Sequence, residues 1–271
     1  TFTTLAESEA QLYGQFNKVL DEVSEAQSFV DFDGQKKLQR KLGISRLRNK
    51  SMKDILEIGL YMQVREADAN KIGDEFNNDI APDPVEMLKF TIDKMPAPEA
   101  KALQELYDKY VKDGKINKDE IFNNFSDGQK KAFEIVDKKN KELLPKIKEI
   151  SDRTGRSFTP INEYVHRVVF QSKDRDRVNI LDKAEKYSNL STRGRVTFER
   201  TPGAKPIDYN PFNSVLLGTQ ETLLDYYMSP AADKVQSVTE ELKKQYSKGN
   251  EGQKQAVKAL DESVKEMLEL S

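Results

Sequence analysis

The chain of 271 residues contains no cysteine and only one histidine, His166. The absence of cysteine excludes disulfides, thiolate nucleophiles and sulfur-ligated metals. A single histidine excludes a multi-histidine metal site, and we expect His166 to be half-buried and hydrogen-bonded rather than catalytic. Glycine-rich phosphate loops are also missing. The sequence therefore predicts no catalytic residue, no metal site and no cofactor.

Long apolar runs are missing as well, because no stretch approaches the roughly 18 residues that a membrane span requires. The N-terminus lacks the basic and then apolar pattern of a signal peptide. The formal net charge is only −2, so binding to nucleic acid or to a membrane surface would require a local excess of charge. Hydrophobic residues make up 37% of the chain and charged residues 33%, which favours an elongated molecule with much surface.

Two regions supply the local charge. Residues Lys36–Lys53 include eight basic and no acidic residues, and Ser151–Pro206 includes twelve basic and seven acidic residues. The second region also holds eight of the twelve arginines of the chain, and the planar guanidinium suits phosphate and carboxylate. We predict a contact surface there for nucleic acid or an acidic protein, with a merely solvated surface as the alternative. The predicted contact residues are Arg167, Arg175, Arg177, Arg193, Arg195 and Arg200, with Lys36, Lys37, Arg40 and Lys41 as secondary candidates.

Helical signals dominate both ends of the chain. Three pairs predict an N-cap followed by proline in the first turn: Asp83 with Pro84, Asn210 with Pro211, and Ser229 with Pro230. Pro145 interrupts a regular apolar spacing and predicts a kink or a split. The predicted fold is mainly α, an elongated multi-helix assembly with a small extended or β-hairpin-like irregular centre.

The segment Ile55–Val64 is apolar on nearly all faces, which predicts a central helix covered by its neighbours. Residues Gly155–Ile207 instead contain a β-branched run and scattered glycine and proline, which are typical of extended or irregular structure. Long irregular segments are usually functional, ordered by a partner or disordered, and we expect ordering by a partner. The predicted division is a helical domain at 1–150, an arginine-rich connector at 151–209 and C-terminal helices at 210–271.

Residues Lys109–Glu120 match the second half of a calcium-binding loop. The first half does not match, because Lys109 and Val111 stand where two oxygen ligands are needed. We therefore predict that one helix ends near Asp113 and Gly114 and that the next begins at Asn117.

Several short elements follow one another between residues 161 and 230. They are Asn-Glu-Tyr-Val-His-Arg at 162–167, Arg-Gly-Arg at 193–195, Glu-Arg-Thr-Pro-Gly at 199–203 and Asp-Tyr-Asn-Pro-Phe at 208–212. This order resembles a linking module within very large bacteriophage proteins that are packaged in virions or carried as polyvalent multidomain chains. The resemblance implies a scaffold that travels with the genome, a location in the virion and no catalysis in this part. The start at Thr1 rather than methionine fits a processed protein or a fragment of a larger one.

Three functions are open at this point. The first is a non-enzymatic structural or cargo domain of a phage virion protein, which binds other virion proteins or packaged DNA or RNA through the arginine-rich centre. The second is a helical protein-protein adaptor, virion-borne or cytoplasmic, that docks through the apolar stripe of the last helix at Val257–Leu268. The third is an accessory fragment of a larger nucleic-acid enzyme such as a virion RNA polymerase. Oligomerisation is compatible with each.

Overall fold

The computed structural model describes residues 2–30, 46–77, 81–155, 161–168, 206–247 and 249–270. Their fold is mainly α, as the sequence predicts. The helices are α1 Phe2–Ser28, α2 Arg46–Ala69, α3 Pro84–Ile92, α4 Ala97–Tyr110, α5 Lys118–Asn123, α6 Asp127–Thr154, α7 Pro211–Leu223, α8 Ser229–Gln245 and α9 Glu251–Leu270. Two short strands, β1 Val111–Lys112 and β2 Lys115–Ile116, pair antiparallel. No helix in these ranges is long and apolar enough to cross a membrane.

Helix α2 lies at the centre of the core, where α3, α4, α5, α6 and α7 all pack on it. Five of its apolar side chains expose 3% or less of their surface: Leu56, Ile58, Leu60, Met62 and Val64. This burial confirms the central helix predicted from Ile55–Val64. The same core includes Tyr209, the last residue of the predicted connector, and Phe212 beyond it, so residues from all three predicted parts pack together. The division into three parts stays a prediction.

In two of the three predicted cap and proline pairs, the first residue caps a helix. The side chain of Asp83 accepts a hydrogen bond from the Val85 N–H at 2.7 Å, and that of Asn210 accepts from the Phe212 N–H at 3.0 Å. Helix α6 continues through Pro145 instead of splitting there. The missing hydrogen bond is tolerated because α6 keeps its apolar side buried both before and after this proline.

A tight β-hairpin joins α4 to α5, which the sequence analysis did not predict. Asp113 and Gly114 both have positive φ, 51° and 74°, as a type I′ turn requires. Asn117 then caps α5 by accepting from the Asp119 N–H at 2.9 Å, which confirms the predicted start of that helix. This hairpin comes before Gly155–Ile207, the part of the chain in which we expected extended structure.

Helix α8 begins at Ser229 with Pro230 in its first turn, but the predicted capping role of Ser229 is wrong, because α7 continues into α8 through a π-helical turn, Leu224–Met228. The Ser229 hydroxyl donates to Asp225 Oδ1 at 3.3 Å instead of capping a new helix. Pro230 has no N–H and donates no hydrogen bond to the carbonyls of residues 225 and 226 in the preceding turn. Arg153 of α6 donates to both, at 2.7 Å and 3.3 Å. Arg153, one of the eight arginines of Ser151–Pro206, thus has a structural role.

The change Arg153→Lys should destabilise the protein, because one ammonium cannot reproduce the two bonds of the guanidinium. We expect the free energy of unfolding to fall by about 1 kcal/mol for each hydrogen bond lost, measured by urea denaturation. Lys148→Ala is the control, since it removes only an exposed ion pair with Asp152 and should cost about 0.5 kcal/mol or less. Equal effects of the two changes would contradict the role of Arg153.

Candidate functional site at the base of the arginine-rich segment

One face of the central helix α2 carries buried polar residues. Gln63, Glu66 and Asn70 follow at intervals of three and four residues, so they project from one side of the helix. They expose 2%, 0% and 9% of their surface. Gly59 precedes them on the same side, and we call these four residues the polar face of α2. Buried polar groups need hydrogen-bond partners, and residues 161–168 provide them.

Residues 161–168, which we call the docked segment, run along this face in the direction opposite to the helix. Asn70 bonds both backbone groups of Asn162: Oδ1 accepts from its N–H at 3.0 Å, and Nδ2 donates to its carbonyl at 2.8 Å. One turn earlier, Glu66 Oε1 accepts from the Val165 N–H at 2.8 Å. Helix side chains thus satisfy backbone groups that a neighbouring strand would otherwise satisfy.

Arg167, a predicted contact residue, is bound inside the protein. Its Nη2 lies 2.6 Å from Glu66 Oε2, and its Nε donates to Gln63 Oε1 at 2.9 Å. The Arg167 side chain is 10% exposed and that of Glu66 is fully buried. A buried carboxylate is costly unless it is paired and hydrogen-bonded, and this guanidinium compensates its charge. The geometry assigns Arg167 to the internal structure.

The chain returns to the same place at residues 206–209. The Asp208 N–H donates to the Val168 carbonyl at 2.8 Å, and the Ile207 N–H donates to Thr91 Oγ1 of α3 at 3.2 Å. The Tyr209 carbonyl lies so close to Gly59 that a β-carbon there would overlap with it. The two flanks of residues 169–205 are therefore hydrogen-bonded to each other, at Val168 and Asp208.

We call residues 169–205 the arginine-rich segment. It contains nine basic and five acidic residues, a formal charge of +4. Most of the predicted contact residues lie outside the described residues: Arg175, Arg177, Arg193, Arg195 and Arg200 in this segment, and Lys36, Lys37, Arg40 and Lys41 before α2. The structure describes the two flanks of the segment, which are fixed to α2 and α3.

A cluster of charges joins the docked segment to α6. Glu163 has a positive φ of 53°, which is unfavourable for a residue with a β-carbon. Its carboxylate lies 3.1 Å from Arg65 Nη2 and 3.7 Å from Lys141 Nζ. Arg65 also pairs with Asp137, and its guanidinium lies 4.9 Å from the centre of the Phe133 ring. These ion pairs offset the backbone strain at Glu163.

The ion pairs also shift the pKa values of two members of this cluster. Burial acts to raise the pKa of the Asp137 carboxyl, but hydrogen bonds from Arg65 and Lys141 outweigh it and hold that pKa below its ordinary value. The bond to Asp137 in turn raises the pKa of Lys141 above its ordinary value. Both groups are therefore charged at neutral pH, as expected of a structural ion-pair network rather than of a proton donor or acceptor.

His166 is half-buried and hydrogen-bonded, as the sequence analysis expected. Its Nδ1 lies 3.2 Å from the Tyr164 hydroxyl, and its Nε2 lies 3.5 Å from Glu221 Oε2 of α7. The ring packs at Gly218, where a β-carbon would come within 2.6 Å of the ring Cγ. His166 therefore packs the docked segment against α7.

Sequence reasoning missed the polar face of α2. Gln63 lies in a segment interpreted as apolar on nearly all faces, and Glu66 and Asn70 follow it in more polar sequence. The available signal was three polar residues at helical spacing on a helix that is otherwise buried. Such a pattern indicates a polar partner inside the fold, although it does not identify residues 162–167 as that partner.

Comparisons with protein-family models, with curated proteins and with solved structures find no match to this chain. In the part of the chain that the structure describes, no group of three or more histidine, aspartate or glutamate side chains is arranged to hold a metal ion. Function is therefore inferred from the geometry and charge of this chain.

The close approach at Gly59 can be tested with a matched pair of glycines. Gly59→Ala should destabilise the protein by about 1–3 kcal/mol, because backbone must move to admit the methyl group. Gly14→Ala in α1, where a β-carbon meets nothing within 4 Å, should stabilise it by about 0.5–1 kcal/mol. Urea denaturation measures both. Stabilisation by both changes would show that the Tyr209 carbonyl does not lie against α2.

The ion pair of Asp137 should make stability depend on pH. The folded-state pKa of Asp137 is lowered, so its ion pair stabilises the protein fully when the pH is above the unfolded-state pKa of about 3.9. This stabilisation is lost as the pH falls through the lower folded-state pKa. Asp137→Asn should therefore be less stable than the parent at pH 7, and the difference should shrink below about pH 4. Urea unfolding across this range measures it. A difference that does not change with pH would contradict the assignment.

Proposed function

We propose that this chain is a non-enzymatic, mainly helical structural or cargo domain of a bacteriophage particle, and that it binds packaged nucleic acid through its arginine-rich segment. The observation that carries the proposal is the hydrogen bond between Val168 and Asp208. It joins the two flanks of a segment of charge +4 at one place on a helical core. A basic segment held at both ends loses less entropy on binding than a free tail.

Charge supports nucleic acid as the ligand of this segment. The whole chain carries −2, so the part outside residues 169–205 carries −6, although it includes the basic stretch Lys36–Lys53. Attraction must therefore come from a local basic region. Arg153 and Arg167 of the same stretch are occupied by Asp225, Tyr226 and Glu66. The five arginines within residues 169–205 are the residues that we propose contact phosphate.

The virion setting rests on the resemblance of residues 162–167, 193–195, 199–203 and 208–212 to the linking module of large phage proteins. Two of these elements have structural roles in the core: residues 162–167 dock on α2, and 208–212 close the segment and cap α7. The two elements between them, at 193–195 and 199–203, contain Arg193, Arg195 and Arg200. A scaffold would present these residues to the packaged genome.

The test is binding to labelled single- and double-stranded DNA over a salt series. A chain with Arg193→Ala, Arg195→Ala and Arg200→Ala should bind more weakly, and the slope of log affinity against log salt should fall by about 2–3 if each arginine meets one phosphate. An unchanged affinity and slope would defeat the proposal.

A second triple variant controls for net charge. Lys112→Ala, Lys148→Ala and Lys258→Ala remove the same three charges from exposed ion pairs on β1, α6 and α9. This variant should keep the DNA affinity and the salt slope of the parent, to within a small screened effect. Equal losses in the two triple variants would show that total charge, not the arginine-rich segment, determines binding.

An acidic surface of a neighbouring virion protein is the alternative partner. Arginine pairs with carboxylate as well as with phosphate, so the arginine-rich segment would bind this acidic surface. Absence of DNA binding even at low salt would exclude DNA and leave a segment that faces a protein or is merely solvated. The adaptor function through α9 stays a prediction: its helix, Glu251–Leu270, packs on α8, and most of its predicted stripe lies among side chains that are not described.

A further inference from the structure

The polar face of α2 has the contacts of a peptide-recognition site. Asn70 bonds the N–H and the carbonyl of Asn162, and Glu66 bonds the N–H of Val165. These three hydrogen bonds go to the backbone at and after the turn that the chain makes at Asn162 and Glu163, so they recognise the path of the chain rather than its side chains. In this respect the helix face acts as the edge of a sheet does in peptide recognition.

Two side chains of the docked segment supply specificity. Val165 is 2% exposed and belongs to the hydrophobic core. Arg167 meets Glu66 and Gln63 through two different nitrogens, a geometry that lysine cannot reproduce. These two contacts favour a peptide with valine and arginine two positions apart.

An empty site would be unfavourable, and this gives it affinity for a ligand. Glu66 is fully buried, and removing the cation from a buried pair leaves an uncompensated charge. Gln63 and Asn70, also buried, would lose the hydrogen bonds that they make with the docked segment. A cationic peptide that follows the path of the docked segment restores all of these interactions.

We propose that the polar face of α2 is a binding site for a Val-x-Arg peptide that follows the path of the docked segment, and that a second copy of this chain can fill it with its own docked segment. Each copy carries both the site and the ligand, so exchange between two copies preserves every contact described above. The occupant is thus a segment of the same sequence, supplied by another molecule. This inference does not depend on the proposed binding of nucleic acid.

A labelled peptide spanning residues 160–168 tests the site itself. The receptor is the full chain with Val165→Ala and Arg167→Ala, which weakens its own docked segment and leaves the polar face of α2 intact. Fluorescence anisotropy should show saturable binding, about ten-fold or more tighter than to the parent chain, where the tethered segment competes at high effective concentration. A peptide with alanine in place of arginine, and a receptor with the further change Glu66→Gln, should each lose about ten-fold or more.

Absence of saturable binding up to about 1 mM peptide, or equal binding of the alanine peptide, would overturn the proposal. Circular dichroism of the receptor must show the helical content of the parent. If it does not, the cysteine-free chain allows a second test with otherwise unchanged copies.

In that second test, a copy with Asn70→Cys is mixed with a tagged copy with Asn162→Cys under mild oxidation. Exchange predicts a covalent heterodimer at a yield several-fold above that of a control pair. The control combines Asn70→Cys with a tagged copy carrying Tyr13→Cys, since Tyr13 is 56% exposed on α1. A yield equal to the control would overturn the exchange of segments.

Discussion

The buried carboxylate of Glu66 is the constraint on which the rest of the arrangement depends. It lies on the central helix α2 and is fully inaccessible to solvent. Removing one partner of such a pair typically costs about 3–5 kcal/mol, a large part of the stability of an ordinary domain. Arg167 and the Val165 N–H satisfy this carboxylate. The helix therefore requires the docked segment, and the docked segment determines where the arginine-rich segment begins.

Arginines that look alike in the sequence have different roles in the structure. Arg153 replaces the N–H that Pro230 lacks, and Arg167 compensates a buried charge. Both sit in the stretch that was predicted as a single contact surface. The closure at Val168 and Asp208 separates them from the arginines of residues 169–205. Local charge density alone cannot make this distinction, because it does not show which guanidinium already has an internal partner.

The helices were predictable because caps and apolar spacing are local signals. Asp83 and Asn210 cap helices as predicted, and Ile55–Val64 is the central helix. Ser229 failed as a cap because a π-helical turn and Arg153, distant in sequence, make the helix continuous. The polar face of α2 was not predicted for the same reason. Its partners lie about a hundred residues later in the chain, and a single sequence does not reveal such pairings.

Hydrogen exchange at the amides of Val165 and Asp208 tests the central claim most directly. The first amide reports the bond to Glu66, and the second reports the closure of the arginine-rich segment on Val168. The account predicts that both exchange only through large openings, with protection approaching that of a core amide such as Leu60. Exchange at the rate of an unstructured peptide would show that residues 161–168 are not held on α2, and would contradict the account.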